Sequence, residues 1–301
     1  MSDINPQAPF DTTLLRNRRT RAAAGWPGFS FLKTRVADEL AERLLDANRS
    51  FDIGLDLGAH GGEIRTPLLA TGKLSTLIHA DSCEAMLAQA PRPAAVMNEE
   101  HLAIGDARVD FVASALALHR LNDLPGALIQ IRRALRPDGL FLGSLFGGET
   151  LHELRTCLAE AEAECEGGVS PRVFPFADVR DMGGLMQRAG FALPVVDADR
   201  QLVTYETVFG LIRDLRGMGE TNVLNARRRK PLRRSTLMRM AEIYTERFSA
   251  PDGRITATFQ IVYASGWAPH ESQQQPLRPG TATQRLADAL NTDEIKAGEK
   301  P

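Results

Sequence analysis

FDIGLDLGAHGGEI, residues 51–64, decides the fold. Its first half is an apolar run ending in an acid, Asp56, which predicts a buried strand. Its second half is a glycine turn, and a helix is expected over 62–71. A strand that enters such a turn at a helix N-terminus offers backbone N–H groups and room for a ligand to approach closely. The dinucleotide pattern G-x-G-x-x-G needs glycines at 58, 60 and 63, but the residues there are Gly58, His60 and Glu63, so a nicotinamide dinucleotide is a poor fit.

Outward from this stretch the pattern alternates. A covering helix is expected over 29–47, with Leu32, Val36, Leu40, Leu44 and Leu45 on one face. Further strands read at 74–81, near 95–97, at 109–118 and at 140–146, separated by helices at 83–90 and 125–135 and by the turn RPDG. Strands and helices alternating at this spacing imply right-handed crossovers and a doubly wound α/β fold with a mostly parallel sheet. Beyond it come helices at 149–166 and 178–190, a strand near 193–205, a long helical stretch over 206–248 and a strand over 254–267. Two closing strands of this kind, one of them antiparallel, bring the sheet to seven. The expected division is covering helices in 1–50, a cofactor-binding core in 51–148, the second half of the fold with helical insertions in 149–269, and a loose tail in 270–301 with a short helix at 283–290.

Composition narrows the function classes. Lys and Arg total 36 against 38 Asp and Glu, a net charge of −2, so nothing draws the whole chain to nucleic acid or anionic lipid. Aromatics are 6% and none interleaves the basic runs RNRRTR (16–21) and RRRKPLRR (227–234), so no nucleic-acid partner is expected. Those runs are either solvated helix faces or a grip for an acidic protein. Three cysteines without a C-x-x-C pair predict free thiols and no metal site. The N-terminus lacks a signal or transit pattern, and no apolar run approaches the roughly 20 residues of a membrane span. These features lead to the expectation of a cytoplasmic protein from a bacterium.

The turn itself resembles the D-x-G-x-G-x-G pattern of S-adenosylmethionine-dependent methyltransferases, with Asp56, Gly58 and Gly62 in place and His60 where a glycine is usual. In that class the turn faces the amino acid end of the cofactor. Asp81 closes the second strand, where a carboxylate accepts hydrogen bonds from both ribose hydroxyls or caps the helix that follows. Asn98 and Glu99 follow the third strand, on the adenine side, and Ser114 lies on the fourth. The cofactor-contact candidates are therefore Asp56, Gly58, His60, Gly62, Asp81, Asn98, Glu99 and Ser114. Three readings of His60 stay open: a solvent-facing side chain in a left-handed turn, a one-residue shift that hands its role to Gly61, or an imidazole that narrows the site.

Longer segments are more specific. SALALHRLNDLPGAL (114–128), IRRALRPDGLFLGSLFGGETLHELR (131–155), AEAECEGGVSPRVFPF (161–176), DLRGMGETN (214–222), ATFQIVYASGWAPHESQ (257–273) and RPGTA (278–282) resemble the complex I assembly factors that act as protein-arginine hydroxylases. The resemblance implies a seven-stranded class I methyltransferase fold, S-adenosylmethionine, and hydroxylation of an arginine on the complex I iron–sulfur subunit nearest the quinone site, with peripheral association at that membrane complex. Relatives of this family also resemble the malonyl-carrier-protein O-methyltransferase of the biotin pathway. A non-catalytic assembly chaperone is the third alternative. The chain departs from the family at His60, at Asn98 in place of aspartate, and at Arg120 in place of tryptophan. His119 and Asp123, just past the fourth strand, are the candidates for base or substrate contact, or else a packed loop residue and a helix cap. The residues themselves outline no oxygenase centre.

Overall fold

The computed structural model describes residues 8–176, 178–274, 288 and 292. The helix expected at 283–290 lies outside the described residues. Contacts group the chain into a unit spanning Met1–Pro269 and a second, His270–Pro301.

The first unit holds a seven-stranded sheet. Its strands are β1 (Phe51–Leu57), β2 (Leu74–Asp81), β3 (Ala94–Val96), β4 (Val109–Ala115), β5 (Leu135–Phe146), β6 (Ala192–Tyr205) and β7 (Ile255–Trp267). The order is β3-β2-β1-β4-β5-β7-β6, with β7 antiparallel to both neighbours and the pairs from β3 to β5 parallel. This is the expected mostly parallel α/β sheet of the class I methyltransferase type. β4 is buried at all seven positions, which is why VDFVASA, with Asp110 and Ser114 as its polar residues, does not alternate apolar with polar.

Nine α-helices are described: α1 (Thr12–Ala23), α2 (Phe31–Leu45), α3 (Arg65–Ala70), α4 (Glu84–Leu87), α5 (Leu124–Ala134), α6 (His152–Glu166), α7 (Val179–Arg188), α8 (Val208–Gly217) and α9 (Arg234–Phe248), with short 3-10 turns at Trp26–Gly28 and Leu118–Arg120. One face of the sheet packs on Leu32, Val36, Leu40 and Leu44 of α2, together with α6, α8 and α9; the other packs on α5 and α7. Leu45, expected on the buried face of α2, is 53% exposed. Its place is taken by a second stripe, Lys33, Ala37 and Ala41. No described helix is long and apolar enough to cross a membrane.

Three boundaries differ from the sequence reading, each for a local reason. Residues 60–64 form turns, so α3 begins only at Arg65. β5 begins at Leu135, because Arg136–Gly139 form an irregularity inside the strand, with Asp138 at φ 62°, rather than a turn before it. The stretch 206–248 is two helices, since Gly217-Met218-Gly219, with Gly219 at φ +75°, ends α8. The intervening segment pairs with the start of the chain, Asp11 N–H donating to Val223 O at 2.8 Å and Asn225 N–H to Pro9 O at 2.9 Å. That clamp carries Glu220 to the carboxyl edge of the sheet.

Candidate active site

β1 and β2 deliver Asp56 and Asp81 to neighbouring points of the carboxyl edge, both fully buried. Asp56 Oδ2 pairs with His79 Nδ1 at 2.8 Å. The turn between them is closed on itself: Gly58 N–H and Ala59 N–H donate to Ala80 O at 2.8 and 3.0 Å, and Gly62 N–H to Ala59 O at 2.9 Å. The glycines are required by packing as well as by φ. A Cβ on Gly58 (φ +75°) would lie 2.3 Å from that of Ala117, and one on Gly62 (φ +82°) 2.8 Å from Pro91 Cδ.

His60 takes φ 52° in this turn and is 2% exposed, so its side chain does not face solvent. The ring stacks on Trp26, centroids 4.8 Å apart. Lys33 Nζ, from α2, lies 2.7 Å from His60 Nδ1 and donates to Gly58 O at 2.6 Å; Arg120 reaches His60 Nε2 at 3.4 Å. Burial, and then the neighbouring Lys33, Arg19 and Arg120 charges, hold the imidazole pKa well below the usual histidine range, so the ring is neutral at pH 7. Burial pushes the Lys33 ammonium down, against the pull of Asp56, Glu63 and Asp81.

Asp81 is fully engaged. Arg19 Nη2, from α1, donates to Oδ2 at 2.7 Å, His60 N–H to Oδ2 at 2.9 Å and Cys83 N–H to Oδ1 at 2.7 Å. Burial would raise this carboxyl, but Arg19 and the two backbone donors bring it below the usual aspartate value. Asp81 sits beside Glu99, and burial together with Asp81 pushes the Glu99 carboxyl up. Glu99 accepts from Ser82 N–H at 3.2 Å, with Arg19 Nη1 at 3.9 Å. Asn98 is exposed and ties its own loop by accepting from Glu100 N–H. Ser114 is buried and donates to Leu57 O at 2.8 Å, fixing β4 to β1.

The acceptors that an S-adenosylmethionine molecule would use are therefore present; Gly58 O and Asp81 already accept from Lys33 and Arg19, while Asp56 Oδ1 is buried without a partner. The cofactor's ammonium and ribose hydroxyls are hydrogen-bond donors; Lys33 supplies the donor to Gly58 O, and Arg19 the donor to Asp81. The cavity left beside His60, Trp26, Lys33 and Leu116 is about 20 Å³, room for about one water. In kind the residues suit the cofactor, and Arg19 and Lys33 occupy part of its hydrogen-bonding positions.

A second cavity, about 1110 Å³, opens on the other side of Phe29, Phe146 and Glu220, which line both. His119 backs this region, its ring 4.8 Å from Phe146 and 5.9 Å from Phe176, with Nε2 3.3 Å from Glu220 Oε2. Burial lowers its pKa, Glu220 partly opposing. Arg120 donates to Glu220 Oε1 at 2.9 Å. Asp123 stands apart: exposed, it accepts from Gly126 N–H at 2.8 Å and caps α5. Its described contact is the one expected of a helix cap. Among the described residues no group of three His, Cys, Asp or Glu side chains could hold a metal ion, and the three cysteines are free.

Arg19, Lys33 and Glu220 were not among the sequence candidates. The signals were faint: Arg19 lies inside a basic run, Lys33 shares a helix stripe with Ala37 and Ala41, and Glu220 belongs to the DLRGMGETN segment.

The methyltransferase-domain family matches residues 55–143. The human protein named arginine-hydroxylase NDUFAF5, mitochondrial, is 41% identical over 281 residues, covering 91% of this chain and 81% of that one. The chain belongs to the arginine-hydroxylase NDUFAF5 family. A member from Dictyostelium discoideum is 34% identical over 97% of this chain and 72% of its own. The malonyl-[acyl-carrier protein] O-methyltransferase of Halorhodospira halophila is 35% identical over 86% of this chain and 88% of its own. Because these family members are mitochondrial proteins of eukaryotes, the expectation of a bacterial source is corrected. Among solved structures, the YcgJ protein of Bacillus subtilis matches with a TM-score of 0.54 at 13% identity, covering 78% of this chain and 99% of its own. A methyltransferase-class protein from Bacillus halodurans (BH2331) gives 0.53 at 13% identity, covering 77% and 99%. The enzyme is thus of the methyltransferase superfamily in fold and in family.

Proposed function

We propose that this chain is an S-adenosylmethionine-binding enzyme that hydroxylates an arginine of a complex I iron–sulfur subunit during assembly. What carries the reading is the span of the likeness: relatives named arginine-hydroxylase align with up to 97% of the chain, well beyond the matched domain at 55–143. The 1110 Å³ cavity agrees with it, being large enough for a protein side chain and walled by Phe146, Phe174 and Phe176. Asp56, Gly58, Gly62, Asp81 and Glu99 would hold the cofactor after Arg19 and Lys33 withdraw. His119 lies on the substrate side. A cytoplasmic location, with peripheral attachment to the membrane complex, belongs to the same proposal.

Intact-mass analysis of the iron–sulfur subunit from cells lacking the gene tests it: one oxygen's mass is expected to be missing from a single arginine, and an unchanged subunit overturns the reading. Two other readings each have one observation in their favour. Eight lining residues of the large cavity are Arg or Lys, which suits the anionic malonyl group of an O-methyltransferase substrate. The filled turn suits a non-catalytic chaperone. Calorimetry with S-adenosylmethionine separates the latter, since no heat at millimolar ligand and an unmoved melting temperature would remove both enzyme readings.

A further inference from the structure

The proposed reading needs a place for a guanidinium, and the large cavity offers few. Among its described lining residues eight are cationic and a single one, Glu220, is acidic. Glu220 also lines the small cavity beside His60, so it stands at the junction of the two. Its carboxylate is held from behind, Oε1 accepting from Arg120 at 2.9 Å and Oε2 lying 3.3 Å from His119 Nε2. Both partners are buried, and the Glu220 side chain is 11% exposed. Burial alone would raise its carboxyl; Arg120 and His119 bring it down to about 2, so it is ionised throughout the physiological range. Phe146, Phe174 and Phe176 lie around the same point, and flat aromatic faces favour a planar cation.

We infer that Glu220 is the specificity-determining residue that receives the substrate guanidinium, selecting an arginine side chain over neutral side chains of the same shape. The inference rests on the arginine-modifying reading and deepens it. Each carboxylate oxygen keeps a second lone pair after Arg120 and His119 are counted, so a substrate N–H can be accepted without displacing either. Arg120 then acts as a positioning residue, fixing the plane of the carboxylate. Glu220 is the single anionic side chain among the described lining residues, so it is the one charged partner that a guanidinium meets there.

The test compares a capped pentapeptide, Ala-Ala-Arg-Ala-Ala, with its citrulline twin, which keeps the shape and loses the charge. Binding to the full chain is read by calorimetry. Wild type is expected to favour the arginine peptide by about tenfold to a hundredfold. Glu220→Gln should erase that preference while leaving citrulline binding unmoved, and Glu220→Asp should restore part of it. Because Glu220→Gln strands the buried Arg120 charge, the double variant Glu220→Gln/Arg120→Met is measured beside it, and it too should bind both peptides alike. Equal preference in wild type and the Gln variants overturns the inference, as does a wild type that binds the peptides equally or binds neither. The outcome is separable from the wider reading: a subunit that still gains its oxygen without Glu220-dependent selection retires Glu220 alone, whereas selection without any oxygen on the subunit retires the hydroxylase.

Discussion

The two halves of the sheet edge differ in what fills them. Beyond β1 and β2, where the fold ordinarily leaves room for a ligand, the chain has supplied its own donors: Arg19 to Asp81, Lys33 to Gly58 O, and His60 stacked on Trp26. Beyond β5 and β7 it has left about 1110 Å³ open behind a single carboxylate. Both halves bury charge, but in the first the chain's own cations sit on the ligand-facing acceptors, whereas in the second Glu220, paired with Arg120 and His119, borders a large cavity. A turn can thus keep the ligand-binding positions of its fold while residues from other elements donate to its acceptors.

The strongest of these contacts is the buried pair Arg19–Asp81. Arg19→Met strands Asp81 in the interior, and about 3–5 kcal/mol of stability should be lost in urea denaturation at pH 7. The sign with pH follows from the two lowered carboxyls. Asp81 and Glu220 have folded pKa values below their unfolded ones, so their contribution is complete above about pH 5 and is lost as pH falls toward 2. The variant, without the Arg19 charge that lowers Asp81, should lose less stability than wild type over that acid range.

Gly58→Ala comes next. Its Cβ would meet Ala117 at 2.3 Å with φ at +75°, and about 2–4 kcal/mol of destabilisation is expected from overpacking and backbone strain together. A melting temperature equal to wild type would show that the turn is looser than its packing.

How far the sequence announced this architecture depends on the kind of contact. β1, β4 and β7 were legible because periodicity and apolar runs report burial, which is set along one element. The glycine turn, Asp81 and the cap at Asp123 were legible as positions for the same reason. Arg19 and Lys33 were not, since their partners lie 62 and 25 residues away in sequence and no local pattern marks an ion pair closed by tertiary packing. Ser114 and Asn98 were assigned to the ligand by position, while their side chains serve the strand backbone and a loop. The break inside 206–248 was written in Gly217 and Gly219, outweighed by the helical composition on either side.

His60→Gly acts on the first half. It suits φ 52°, removes the imidazole from the small cavity and frees Lys33 to move. S-adenosylmethionine should bind about tenfold tighter than to wild type, about 1.4 kcal/mol, with a modest loss of melting temperature. No gain in affinity would mean that Arg19 and Lys33, not the imidazole, keep the half closed.

The smallest effect is expected from Asp123→Ala. Losing the bond from Gly126 N–H should cost about 0.5–2 kcal/mol of stability and leave ligand binding at both cavities unchanged. A loss of peptide or cofactor affinity at constant stability would return Asp123 to the site.

The position of β7 has a consequence for how the chain is made. This strand is the last of the seven to be synthesised, and it lies between β5 and β6, so β6 has no sheet neighbour until it arrives. Tyr205 and Trp267 are 62 residues apart, which at about 5–20 residues per second leaves β6 unpaired for roughly 3–12 seconds. During that interval Val195 and Leu202 sit on a strand with both edges open. The Arg43 guanidinium of α2, which pairs with Asp197 of β6, gains the Tyr263 ring of β7 only at the end of that interval. The sheet edge at β6 is thus completed only when residues 255–267 emerge from the ribosome.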